Sequence, residues 1–322
     1  MKILITGGLG FIGGRLGIHL FENGHEIVLG TRKNINPPVW LPAASMKMMD
    51  WDSDDSLNEA CLDIDLVIHA AGMNASDCEL NPVAALNFNG NATSKILTAA
   101  VNNGVKTFFY LSTAHVYSNP LQGLVDENTT PTNPHPYATS HLEGEKHARQ
   151  AKDKGLINST ILRLSNTYGA PTRPEVNCWN LLVNDLCMQA TISKQLKLST
   201  SGKAQRNFIT LSDVCNVIKE LIYKSESQIL PLTLNIGNTY SSTVHEMAVL
   251  VQYRCQVILG FKPDILVNSD NSSQENTPLD FKSLYSNLFE NEIKNNSNSE
   301  IDELINFCKK YFGNNSSLIE AN

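Results

Sequence analysis

The residues with the plainest chemical content come first in the chain: Thr6-Gly7-Gly8-Leu9-Gly10-Phe11-Ile12-Gly13, between a β-branched stretch and an apolar helical one. Gly7, Gly10 and Gly13 offer a tight turn, room for a pyrophosphate against the backbone, and close packing of helix on strand. Phe11, Ile12 and Gly13 fall in the first helical turn, where free N–H groups and the positive dipole end face anionic oxygen. Three glycines alone say little; three that close a strand and open a helix describe a dinucleotide loop. The next apolar stretch ends Leu29-Gly30-Thr31-Arg32-Lys33. Thr31 stands where a carboxylate would accept from the adenosine ribose of NAD. Arg32 follows it, and a guanidinium there suits the 2′-phosphate of NADP, so NADP is expected and NAD is the alternative. Asp50, after a third short strand, is placed to accept from the adenine amino group.

These groups need elements to hold them. Lys2 to Ile5, Glu26 to Leu29, Met46 to Met49, Asp65 to Ala70, Thr107 to Leu111 and Thr160 to Leu164 read as strands. Several are continuously apolar, as parallel strands buried on both faces must be. Phe11 to Glu22, Asn81 to Asn103 and Tyr137 to Lys154 read as helices, and Asn23-Gly24 and Asn103-Gly104 as their stops. The alternation predicts an α/β protein with a Rossmann-type doubly wound parallel sheet. After residue 169 the rhythm loosens. The expected division is a NAD(P)-binding domain over 1–169 and a mainly substrate-binding domain over 170–322. A helix from Asn180 to Ala190 is expected in the second part. Ser212 to Lys224 and Leu232 to Ile236 read as a helix and strand, with about 206–237 returning to the sheet. Asn268 to Thr277 and Lys294 to Ser299 read as loops, and the stretch from Asn314 as a frayed end.

On these residues the chain resembles the extended short-chain dehydrogenase/reductases that act as nucleotide-sugar epimerases, dehydratases and reductases. His69-Ala70-Ala71-Gly72 is similar to the motif ending that family's fourth strand, which lines the cofactor, and Asn87 matches a family asparagine. Leu111-Ser112-Thr113-Ala114-His115-Val116-Tyr117 resembles the Ser-Ser/Thr-x-x-Val-Tyr segment, which implies a catalytic hydroxyl on Thr113. Tyr137-Ala138-Thr139-Ser140-His141 matches the Tyr-x-x-x-Lys helix except that the lysine is His141. The resemblance implies that Tyr137 exchanges a proton with a sugar oxygen while Thr113 holds that oxygen. The missing lysine matters: a cation ~4 Å from a phenolate, at an effective dielectric near ~20, is worth about three pKa units. Neutral imidazole supplies almost none of that, though it can hydrogen-bond the nicotinamide ribose. His141 is read as a weaker, pH-dependent substitute, as the mark of an enzyme needing less tyrosinate, or as a sign of vestigial catalysis. His115 stands where related dehydratases carry a carboxylate and fucose synthase-like enzymes a cysteine, so a proton role beside a ketone is implied. Ala114 replaces the aspartic acid of the 4,6-dehydratases. Leu162-Arg163-Leu164-Ser165-Asn166-Thr167-Tyr168-Gly169, read as a continuation of the sixth strand, and Arg206-Asn207-Phe208 resemble substrate-side motifs. They imply that Asn166 and Arg206 meet a nucleotide diphosphate, with Asn180 a further nucleotide contact.

Composition sets the outer bounds. The 322 residues are 42% hydrophobic and 18% charged, enough for a large core, and the net charge of -7 argues against general binding to nucleic acid or an anionic membrane. Seven scattered cysteines form no Cys-x-x-Cys pair, so no disulfide framework and no metal site are expected. Strand-like sequence from residue 2 and the lack of a long apolar run point to a reduced, cytoplasmic protein without a membrane span. The expected activity is NADP(H)-dependent reduction of a nucleotide-linked keto-sugar, with epimerisation through His115 as an extension. The alternatives are an NAD-dependent nucleotide-sugar 4-epimerase and a non-catalytic NADP-binding sensor or scaffold. The resemblance also implies a homodimer through the helices Asn81 to Asn103 and Tyr137 to Lys154.

Overall fold

A computed structural model describes residues 1–268 and 278–313. The loop expected from Asn268 to Thr277 thus falls, beyond Asn268, outside the described residues, as does the end from Asn314. In chain order the main elements are β1 (Lys2–Thr6), α1 (Phe11–Glu22), β2 (Glu26–Thr31), β3 (Ser45–Met48), β4 (Leu66–His69) and α2 (Ala92–Asn102). They continue with β5 (Thr107–Thr113), α3 (Pro136–Asp153), β6 (Asn158–Leu164), α4 (Leu211–Ser225) and β7 (Thr233–Ile236). The seven strands form one parallel sheet in the order β3-β2-β1-β4-β5-β6-β7. The chain winds outward from β1 in one direction, then restarts at β4 in the other. A doubly wound sheet opens a crevice at the carboxyl ends of its strands where that reversal occurs.

The continuous apolar runs reflect burial on both faces. Ile3, Ile5, Ile27 and Leu29 point to one face, where Leu16 and Leu20 of α1 and Val214, Ile218 and Leu221 of α4 cover them. Leu4, Val28 and Val67 point to the other and meet Ile96 and Ala100 of α2 and Ala148 of α3.

The helix expected over Asn81 to Asn103 is not one helix. A short helix ends at Leu80, Asn81 is extended, and the chain restarts at Pro82–Ala85 with the Asn81 side chain accepting from Ala84 N–H. A residue before proline is pushed out of the helical region, and proline suits a first helical position, so the break belongs at this dipeptide. Leu86–Asn91 then forms a π-helical turn before α2 begins.

Beyond residue 165 the chain builds smaller sheets. Asn166–Tyr168 does not continue β6: it pairs with Gln205–Thr210, which also pairs with Ser241–Thr243. Gln205–Thr210 thus lies outside the large sheet, although it belongs to the stretch expected to return there; β7 does join. The helices Leu182–Ser193, Val244–Leu259 and Ser297–Phe312 pack around Leu186, Val251 and Leu304. The last of these begins inside the expected loop over Lys294 to Ser299. No helix of the described residues is long and apolar enough to cross a membrane.

Candidate active site

The glycine loop links β1 to α1 at the centre of the crevice. Gly7 has φ 65°, which other residues rarely adopt, and a Cβ there would lie 2.9 Å from the Ala70 carbonyl and the Ala71 backbone. A Cβ on Gly13 would collide with the Gly7 carbonyl. Gly10 caps α1 without a side-chain hydrogen bond, and no acidic residue occupies the first turn. The N–H groups of Phe11, Ile12 and Gly13 therefore end a helix that nothing in the described protein neutralises, a cradle suited to the phosphates of a dinucleotide. Ala70, Ala71 and Gly72 form the opposite wall. Thr6 holds that wall in place, its Oγ accepting from Ala71 N–H at 3.2 Å and bonding buried His69 Nδ1 at 2.7 Å.

At the end of β2, Thr31 is half-buried and its Oγ accepts from Lys33 N–H. Arg32 is exposed, with its guanidinium carbon 5.5 Å above the Phe88 ring. Trp51 meets the same ring edge-on at 5.6 Å. Asp50 is exposed, accepting from Asp52 N–H.

The residues expected to react sit at the ends of β5 and α3. His135 caps α3, its Nδ1 accepting from Tyr137 N–H at 3.2 Å, and Pro136 opens the helix. Glu145, two turns on, accepts from Ser112 Oγ at 2.6 Å and from Nε and Nη2 of Arg163 at 2.8 and 2.5 Å, all buried. This brace joins β5, α3 and β6 and sets the height of Tyr137 in the crevice. Burial pushes the Tyr137 pKa up to about 12, against a smaller downward pull from the neighbouring Thr113 side chain. His141 packs its ring edge-to-face on Tyr137, with centroids 4.6 Å apart. Burial pulls the His141 pKa down to about 4, so at neutral pH it brings no charge to the phenol.

Farther out, His115 is half-buried at the start of the turn after β5. Burial and then the nearby Arg206 charge lower its pKa, against an upward pull from the neighbouring Asn166 side chain. Asn166 also donates to the Asn207 carbonyl at 2.9 Å. The structure thus brings His115, Asn166 and Arg206 to one side of the crevice, with Arg206 exposed at the mouth. Asn180 is exposed just before Leu182–Ser193 and makes no hydrogen bond to the described residues.

A family model for the NAD dependent epimerase/dehydratase family matches residues 3–237, well over half of the chain. The chain belongs to that family. A protein of Methanocaldococcus jannaschii, provisionally named a UDP-glucose 4-epimerase, is 29% identical over 287 residues, covering 84% of this chain and 87% of its own. A mouse dTDP-D-glucose 4,6-dehydratase is 26% identical over 263 residues, covering 77% of this chain and 71% of its own. Among solved structures, a Thermotoga maritima UDP-glucose 4-epimerase with UDP-glucose superposes with a TM-score of 0.80 at 18% identity, over 96% of this chain and 99% of the other. That likeness speaks for the shared fold.

Within the epimerase/dehydratase frame, one expected residue lies out of place. Asn87 is exposed and its Oδ1 accepts from Asn91 Nδ2, away from the crevice. Asn89 takes the interior position: it is 1% exposed, accepts from Met73 N–H at 2.7 Å and donates to Ser140 Oγ at 3.0 Å. The π turn is the cause, since its extra residue shifts which side chain faces inward. Sequence reasoning also passed over Phe88, Trp51 and Tyr110. A proline before two closely spaced asparagines was the available sign that this helix does not run straight.

Proposed function

We propose that the chain reduces a keto group on a nucleotide-diphosphate-linked sugar, using NADPH. The observation that carries this reading is the state of Tyr137. Its pKa is driven up to about 12 and no cation among the described residues stands beside it, so at neutral pH it holds its proton. A protonated phenol beside Thr113 can give a proton to a keto oxygen; it cannot begin by removing one from an alcohol. The nicotinamide, when bound, supplies the two electrons and the second hydrogen. Thr113 orients the oxygen, and His115, neutral by the same burial logic, is the group placed to carry a proton beside the ketone. Asn166 and Arg206 are assigned to the diphosphate side of the substrate, with Asn180 at the nucleotide end.

Choice of NADPH rests on Thr31 in place of a carboxylate and on Arg32, whose guanidinium lies over the Phe88 face and pairs with no carboxylate among the described residues. The names of the relatives favour a second reading, an NAD-dependent 4-epimerase, in which oxidation must precede reduction.

Titration of the purified protein with NADPH and NADH, followed by assay with UDP- and dTDP-linked 4-keto-hexoses, separates the two. The expected result is tighter NADPH binding and NADPH consumption only with a keto-sugar. Interconversion of UDP-glucose and UDP-galactose by protein carrying NAD would replace this reading with the epimerase. Binding of NADPH without turnover of any such sugar would leave a sensor or scaffold.

A further inference from the structure

Tyr110, on β5, has no part in the motifs above, yet its hydroxyl lies 3.0 Å from His141 Nδ1. Two carbonyls lie farther away, those of Asn89 and His141, each at 3.4 Å. Both already have donors. Asn89 C=O accepts from Thr93 Oγ at 2.7 Å, and His141 C=O lies inside α3, where the helix ladder uses it. The Thr93 side chain also lies against the Tyr110 hydroxyl, but the imidazole nitrogen, at 3.0 Å, is nearer than either carbonyl and has no other partner among the described residues. A neutral imidazole that accepts at one nitrogen carries its proton on the other.

Room for this contact is built into α3. A Cβ at Gly144 would overlap the Tyr110 hydroxyl and its ring carbon, and would lie 2.9 Å from the Asn89 carbonyl. Gly144, one turn beyond His141, opens a notch for a tyrosine that reaches the histidine. Nε2 makes no hydrogen bond to the described residues, and the adjacent Cε1 lies 4.0 Å from a Cβ built on Gly72, the crevice wall.

We propose that Tyr110 is a positioning residue of this site: its hydroxyl donates to His141 Nδ1 and fixes the Nε2–H tautomer, leaving that N–H to donate into the pocket. Tyr110, Gly144 and His141 then work as one unit, which replaces a charged anchor for the nicotinamide ribose by a neutral, oriented donor. The ligand half of this statement rests on the nicotinamide reading of the crevice; the tautomer half does not.

The first test is spectroscopic and needs no ligand. Long-range 15N–1H correlation spectra of protein labelled at histidine report the tautomer of each neutral ring, and the His141 signals are those absent from His141→Gln. The wild-type protein at pH 7 should show His141 protonated at Nε2, and Tyr110→Phe should shift it to a mixture or to Nδ1–H. A wild-type ring protonated at Nδ1 overturns the proposal whether or not any variant folds.

The second test is a double-mutant cycle read by NADPH fluorescence titration. Loss of one hydrogen bond predicts about three- to tenfold weaker binding for Tyr110→Phe. The same change made in His141→Gln should leave the affinity unaltered, because its route runs through His141. Equal losses in both backgrounds mean a structural role for Tyr110 and overturn the proposal. A wild-type protein that binds neither NADPH nor NADH defeats the nicotinamide reading, and with it the proposed ligand of the N–H, while the tautomer result stands.

Discussion

At the scale of single residues, the departure on which the proposed chemistry turns is His141. The relevant contrast is charge. A buried neutral ring leaves Tyr137 protonated across the whole physiological range, whereas an ammonium at the same height would favour the phenolate. His141→Lys should accordingly lower the Tyr137 pKa by about three units, on the Coulomb scale for ~4 Å at an effective dielectric near ~20. The check is the pH dependence of oxidation of the sugar alcohol by the oxidised cofactor. In the variant its rising limb should move from strongly alkaline pH toward neutrality, with higher oxidation rates at pH 8. A limb that stays in place would mean that Tyr137 does not lose a proton in that step. The glycine triplet, Thr113, Tyr137 and His141 were legible in the sequence because each belongs to a short local pattern. Tyr110 was not, because its meaning depends on His141 and Gly144, 31 and 34 positions away, meeting it across a strand and a helix. Arg32 was legible as a charge but not as a stacked one, since Phe88 beneath it comes from a turn the sequence did not disclose.

At the scale of elements, the π turn at Leu86–Asn91 decides which asparagine serves the site. Asn89 ties the segment after β4, through Met73, to Ser140 on α3, so it holds these two walls of the crevice at a fixed spacing. Asn89→Ala removes the acceptor of the part-buried Met73 N–H and one donor to the Ser140 hydroxyl, which keeps its bond to the Tyr137 carbonyl, and a loss on the order of 1–2 kcal/mol is expected, with weaker cofactor binding. Asn87→Ala removes only an exposed contact and should stay within about 0.5 kcal/mol of wild type, with unchanged binding. Urea unfolding and NADPH titration of both variants check the assignment; the reverse order of effects would return the role to Asn87. The phosphate cradle gives a sharper case. Gly13→Ala places a methyl group against the Gly7 carbonyl, and cofactor affinity should fall by more than tenfold in a titration, on the order of 1.4 kcal/mol or more. The large sheet was readable because parallel strands covered on both faces are continuously apolar. The short strands after residue 165 were not, since Ser241–Thr243 and Asn166–Tyr168 are each too brief to show a period and exist only by pairing with Gln205–Thr210.

At the scale of the whole molecule, burying two neutral imidazoles beside each other makes stability depend on acid. Burial lowers the pKa of His141 to about 4, and burial followed by the proximity of His141 lowers that of His69 to about 3, from 6.5 in the unfolded chain. Above pH 6.5 both states are neutral at these positions and no dependence arises. Below it the unfolded chain binds protons that the folded one refuses, so stability falls as pH falls, until the folded values are reached. Each histidine contributes about 1.4 kcal/mol per pH unit over that window, so the pair removes on the order of 5 kcal/mol between pH 6.5 and 4.5. That loss is comparable to the whole stability of an ordinary domain, about 5–15 kcal/mol. His141→Gln cannot titrate and should escape about half of the pair's loss, on the order of 3 kcal/mol. Carboxylates add their own acid sensitivity equally to both proteins and cancel in the comparison. Urea unfolding at pH 7, 5.5 and 4.5 measures the difference: the gap between wild type and His141→Gln should change steadily in favour of the variant as pH falls. A constant gap would mean that His141 takes up its proton while the protein is still folded. Its Nδ1 would then have surrendered the Tyr110 hydroxyl, and the neutral anchor proposed for the site would not survive mild acid.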